Sequence, residues 1–344
     1  MRADPTASAA AKPPSAQDPH LSEEWFDLLR RSAVPEDAVL EFAPIGPEDA
    51  PEAARLPLMR TPANSPLITA LSTFYTPLFA PIGVERTSEA ALIRCFCDLR
   101  QRPGVAELRL APLDPNSPFF AAARHALTNS GWLTDSYFCF GNWYVDLDGS
   151  GFTSYWAQRP SKLHHTAERA RRKLKTMPGF AIDVIEGGPG LEAAIAAFVS
   201  VYGHSWKEPE PWPRFISELC QLAATRGWLR LGVLRLGEQA IASQLWLVSG
   251  DCAYIVKLSY DHAYAALSAG TALSAHMMAY VIDRDRVRRV DYLIGDDAYK
   301  RDWTPLRRER WGLVAFNPAN VYGFASAAGH FAGRALKNLY GKFS

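Results

Sequence analysis

Nowhere in this sequence do eighteen uncharged apolar residues run together, so no membrane-spanning helix is expected. An excess of one charge is also missing. With 37 Lys and Arg against 36 Asp and Glu, the net charge is +1, which excludes a global field towards nucleic acid or anionic lipid but not a local basic patch. Cysteine is sparse: Cys95, Cys97, Cys139, Cys220 and Cys252 are scattered and odd in number. The C-x-C pair at Cys95 and Cys97 has no second close pair to complete a zinc site, so all five are expected to be small core residues in a reducing compartment. His164 and His165 with Glu168 lack a third ligand, and no metal is expected. G-x-S-x-G, the P-loop and H-E-x-x-H are absent, and with them the commonest hydrolase, NTPase and zinc-protease signatures. The first twenty residues, rich in Ala, Pro and Ser, lack the apolar segment of a secretory signal; a disordered tail and a cytoplasmic address are expected.

What is present is ample apolar material, 48% of 344 residues, enough for two ordinary domains of a globular protein. The pattern predicts a short amphipathic helix over 22–32, strands over 105–113 and 136–147, and a helix over 117–131. Eight prolines between 43 and 90 predict an irregular segment there. Residues 154–179 read as a basic helix carrying Lys162, Arg169, Arg171, Arg172, Lys173 and Lys175 against Glu168 alone. Either it is a solvated linker between domains, or Arg169, Arg172 and Lys173 contact the phosphates of a nucleotide-bearing donor or RNA. The expected organisation is a tail (1–20), an N-terminal mixed α/β domain (21–153), this linker helix (154–179) and a C-terminal domain (180–344).

The C-terminal half is the most regular. A strand (180–187), helices (190–206 and 213–227), three strands (228–236, 239–249 and 252–261), a helix (270–285) and a strand (288–295) follow in order. A strand over 307–317 and a helix over 329–343 close the chain. That order, together with "SWK" (205–207), "KLSYDHAYAALSAGTAL" (257–273) and "DYLIGDDAYKRDW" (291–303), resembles the FemAB-related branch of the GNAT acyltransferases. More narrowly it is similar to the BioF2-like or CelD/BcsL-type acetyltransferase domain, over roughly residues 155–305. The resemblance implies an α/β (α+β) fold whose mixed sheet has splayed central strands that admit the pantetheine arm of an acyl-CoA. It also implies two GNAT-like units in tandem, the N-terminal one degenerate. The implied activity is N-acyl transfer, acetyl first among the acyl groups, from acyl-CoA to an amine of a sugar, polysaccharide precursor or small metabolite. Two alternatives stay open: a FemAB-like transferase using aminoacyl-tRNA, and a non-catalytic accessory protein of an envelope polysaccharide pathway.

Within "LSAGTAL", Ser268 can cap, Gly270 allows close backbone approach and Thr271 offers a hydroxyl at a helix N-terminus, a setting suited to pyrophosphate. Of the family's Q/R-x-x-G-x-G/A pattern, only Gly270 and Ala272 match. Lys257, in an apolar strand, and Leu258 beside it complete the cofactor-binding candidates. Trp206, Lys207, Tyr260 and Trp303 are the substrate-binding candidates. The resemblance places the chemistry at 291–303, with Asp296 as general base, Tyr299 protonating the leaving sulfur and Lys300 holding an anion or the oxyanion.

Overall fold

A computed structural model describes residues 18–46 and 53–340. The tail expected over 1–20 lies outside them except for residues 18–20, where Asp18 accepts a hydrogen bond from the His20 N–H at 3.0 Å. The chain then runs α1 (Glu23–Ser32), β1 (Val39–Ile45), β2 (Ala54–Arg60), β3 (Leu67–Ala70), α2 (Glu89–Gln101), β4 (Glu107–Leu113), α3 (Pro118–Asn129) and β5 (Leu133–Asp146). Next come α4 (Phe152–Ala157), α5 (Ser161–Lys175), β6 (Phe180–Ile185), α6 (Leu191–Gly203), α7 (Pro213–Thr225), β7 (Leu229–Leu236), β8 (Gln239–Ser249) and β9 (Cys252–Tyr260). The last elements are α8 (Ala269–Ala279), β10 (Arg289–Asp291), α9 (Lys300–Trp303), β11 (Leu306–Phe316) and α10 (Val321–Tyr340). Serines set three of the early helix starts: Ser22, Ser88 and Ser117 accept from the N–H three residues on. No helix among the described residues is long and apolar enough to cross a membrane.

Two compact units share the chain: one through Cys139 and again from Glu309, the other from Phe140 to Arg308. In the first, β1, β2 and β3 pair antiparallel, β3 pairs parallel with β4, and β4 pairs antiparallel with β11. The segment expected to be irregular therefore holds three strands. Its prolines are tolerated because Pro44 lies on the edge strand β1 and Pro57 joins β2 through its carbonyl, which accepts from Leu71 N at 2.9 Å.

The second unit orders its strands β5-β10-β9-β8-β7-β6, antiparallel throughout except for the parallel pair β9/β10. Its compact limits differ from the expected boundaries at 153 and 179, which fall inside it. The reason is α5. Leu163, Ala167, Ala170 and Leu174 form a buried stripe at helical spacing, and three of them join Leu273, Met277 and Val290 in the unit's core. The predicted linker helix is thus a core helix that keeps its charges on the outer face, and Pro160 divides it from α4. Both units repeat one chain order, an antiparallel strand pair, a helix and a parallel strand: β2-β3-α2-β4 in one and β8-β9-α8-β10 in the other.

Candidate active site

The site is built where β9 outruns its neighbour. The parallel register matches Arg289 with Cys252, Val290 with Ala253 and Asp291 with Tyr254, and there β10 ends. β9 continues to Tyr260, so its last turn of strand has no β10 beside it. A bulge marks the parting point. Trp246 pairs with Ile255 and Leu245 with Lys257, leaving Val256 as the extra residue. The expected strand over 288–295 stops early because Asp291 accepts from the Leu293 N–H at 2.7 Å, turning a chain whose Leu293 and Gly295 have φ of 54° and 103°.

Into this opening falls a cavity of about 240 Å³. Leu258, Ser259 and Tyr260 of β9 form one wall, and Gly270, Thr271 and Ser274 of α8 another. Trp206 and Lys207 close one side, and Tyr299 and Trp303 the other. Seven of the expected site residues meet here with Trp206: Lys207, Leu258, Tyr260, Gly270, Thr271, Tyr299 and Trp303. The Trp206 ring lies 4.5 Å from that of Tyr260 and is 56% exposed, an aromatic face open to a ligand. Gly270 lets α8 approach Tyr260 closely: a Cβ there would stand 3.2 Å from Tyr260 Cδ1, a tight contact. Ser268, in left-handed conformation (φ 52°), starts α8 without lining the cavity. The first-turn N–H groups of α8 are the ones a helix leaves without intrahelical partners, and Gly270 and Thr271 bring that end to the cavity.

Lys207 is the titratable group best placed for chemistry. Burial, reinforced by the charge of Lys257, pushes its ammonium down to about 8, with Glu210 opposing. Its Nζ sits 5.8 Å from the Trp206 ring centroid and 5.7 Å from that of Tyr202. Tyr299 is pushed up to about 12 by desolvation and by Asp297, so its phenol keeps its proton at neutral pH. Trp303 is buried, and its carbonyl accepts from the Tyr155 hydroxyl at 2.8 Å and from Arg159 at 3.0 Å.

The other expected residues have different occupations. Asp296 lies outside the cavity lining: its carboxylate takes a bidentate grip from Arg307, with contacts of 3.1, 3.1 and 2.7 Å, and accepts from Trp143 Nε1 at 2.7 Å. The Arg307 hydrogen bonds hold it below the usual carboxylate range, which makes it a poor proton acceptor. Lys300 is buried and donates to the carbonyls of Ile294 (2.6 Å) and Gly295 (3.2 Å), with Asp297 at 3.1 Å; it ties the turn after β10 instead of facing the cavity. Lys257 is buried against Glu210 at 2.7 Å, also away from the lining. Arg169, Arg172 and Lys173 are exposed on α5, and among the described residues none has a carboxylate within ion-pair distance.

Sequence reasoning missed Gln244. Buried in the middle of β8, it donates to the Gly270 carbonyl (3.1 Å) and to the Ser274 hydroxyl (2.8 Å) and accepts from Trp246 Nε1 (3.0 Å). The available signal was one amide amid the apolar run "IASQLWLV". Gln244→Leu should cost about 1–3 kcal/mol by stranding the Trp246 N–H. Urea unfolding would show the loss.

Residues 161–301 match the acetyltransferase (GNAT) domain family. No curated protein matches the sequence. Among solved structures, FemX superposes with a TM-score of 0.59 at 9% identity, over 86% of this chain and 92% of its own. L-PGS from Bacillus licheniformis gives 0.56 at 10% identity, over 92% and 98%. A conserved protein of unknown function from Bacteroides thetaiotaomicron gives 0.54 at 9% identity, over 86% and 90%. These likenesses establish the fold across both units. The GNAT domain match contains α5, β9, α8 and the 291–301 turn, and so covers most of the cavity's walls.

Proposed function

We propose that the chain is an N-acyltransferase of the FemAB-related, BioF2-like branch. In this reading it works in the cytoplasm and transfers an acyl group from acyl-CoA, acetyl-CoA first among the candidates, to an amine in the cavity at the end of β9. The observation that carries this reading is the cavity itself, set where β10 leaves β9 and walled by the N-terminus of α8. In the proposed reaction the acceptor nitrogen attacks the thioester carbonyl and forms the C–N bond. Its surplus proton passes to the neutral Lys207 amine, directly or through water. The C–S bond breaks, and the thiolate takes a proton from the Tyr299 hydroxyl, which Lys207 then restores. Lys207 replaces Asp296 as proton acceptor because it lines the cavity and Asp296 does not. The adjoining Trp206 and Tyr260 rings, tilted 41° to each other, suit a sugar face or an aromatic amine as acceptor.

A second reading, with aminoacyl-tRNA as donor, is favoured by the uncompensated basic face of α5 (Arg169, Arg172 and Lys173) and draws on the likeness to FemX. Thermal-shift titration separates the two. A ligand bound only by the folded state at about a hundred times its Kd adds about 2.7 kcal/mol of stability. Acetyl-CoA or a longer acyl-CoA should raise Tm; no shift with any CoA together with salt-sensitive tRNA binding would overturn the CoA reading.

A further inference from the structure

Helix α10 is mounted with its apolar side outwards. Val321 is 82% exposed, Phe324 60% and Phe331 38%, and Ala325, Ala328, Ala332 and Ala335 on the same side are exposed as well. The opposite side does the packing. A Cβ on Gly323 would stand 2.4 Å from the Asn317 carbonyl oxygen and 2.6 Å from that of Ala106, so this position sits directly on backbone. Ala327 is buried with Val314 and Phe316. His330 meets the buried Asp135 carboxylate at 2.8 Å, and Arg334 donates to its other oxygen. These contacts fix the rotation of the helix, so the apolar stripe cannot turn inwards.

The stripe has its own pattern. Phe324 and Phe331 are seven residues apart, as are Ala328 and Ala335, giving alternating large and small positions on a narrow seam of the kind two helices share. A two-fold axis beside the 329–330 peptide would set Phe324 against Ala335 of a second copy and Phe331 against Ala328 of that copy at once. We propose that this face of α10 is a self-association surface, on which a second copy of this chain packs its own α10 antiparallel. The stripe offers about 500 Å² per copy, about 1,000 Å² in all, the area at which a biological contact separates from a chance one and the size of a weak, reversible dimer.

Light scattering on the eluting full-length protein at about 50 µM, where mass action favours association over a dilute sample, tests the proposal. The expected mass is twice the 38.0 kDa of one chain. Phe324→Glu should reduce it to the monomer while leaving the far-UV circular dichroism of the folded chain in place. Ala328→Phe and Phe331→Ala should each weaken association at least tenfold, and the double swap should restore it, since the two positions face each other. A monomeric wild type would overturn the proposal, as would a swap that restores nothing. So would a monomer that floats with phosphatidylglycerol-containing vesicles and loses that binding in Phe324→Glu.

Discussion

Lys207→Met should lower kcat by about 10²–10⁴-fold, the range over which a positioned proton acceptor contributes, while the KM for the acyl donor moves little. Methionine keeps the length and an apolar stem but removes the titrating nitrogen that sits by the Trp206 and Tyr202 rings. Lys207→Arg should be equally inactive, because a guanidinium does not deprotonate in this range. The pH profile identifies the group. Only the neutral amine accepts a proton, so with an acceptor amine of low pKa, kcat/KM should rise about tenfold per pH unit below about 8 and level off above it. That inflection should vanish in Lys207→Met. A profile unchanged by the substitution would remove Lys207 from the chemistry. Stability links to the same proton: with a folded pKa near 8 and an ordinary value of 10.5, the unfolded chain binds more protons between the two. The Lys207 contribution to stability is therefore present above 10.5 and lost as pH falls through about 8. Asp296→Asn provides the contrast. Its carboxylate is given over to Arg307 and Trp143, so the loss should appear in the anchoring of the turn and leave the inflection near pH 8 in place.

These two residues show what the sequence could and could not disclose. The order of strands and helices in the second unit was legible because each element is long and sharply punctuated, as at Gly227, Gly237 and Gly250, each with positive φ. The turn over 291–303 was correctly singled out as dense in polar groups, but the chain cannot say which of them turn inwards. Lys300 is consumed by two carbonyls and Asp296 by an arginine eleven positions on, a contact made by folding alone. The bulge at Val256 was invisible for a similar reason. It exists only in the register between two strands. In the proline-rich segment, local propensity lost to sheet pairing: β2 lies between β1 and β3 despite Pro57. The basic helix misled because its charges are conspicuous and its four buried residues, two of them alanines, are not.

Asp291→Ala should produce the largest loss of stability, about 3–5 kcal/mol, a substantial share of the ~5–15 kcal/mol that holds a typical fold together. The carboxylate is 1% exposed and fully engaged. It accepts from Asn142 Nδ2 and from the Leu293 N–H, each at 2.7 Å, and from Arg308. Arg308 in turn donates to Asn142 Oδ1 at 2.6 Å, and Asn142 donates to the Leu293 carbonyl at 2.8 Å. Removing one acid therefore takes the paired charge from the buried side of the Arg308 guanidinium, costs the Asn142 amide one of its acceptors and frees a turn residue held at φ 54°. The last effect reaches the site. Leu293 sets the direction in which the chain leaves β10, and the segment that follows delivers Tyr299 and Trp303 to the cavity wall. Asp291→Ala should thus shift the urea midpoint and, in whatever protein remains folded, raise KM together with a fall in kcat. Arg308→Met on its own should cost less, because Asp291 retains two donors. Combined with Asp291→Ala, it should add far less than its separate cost, since the stranded cation is gone. Strict additivity in that double-mutant cycle would show that the two side chains do not act as a unit and that the turn is held by something else.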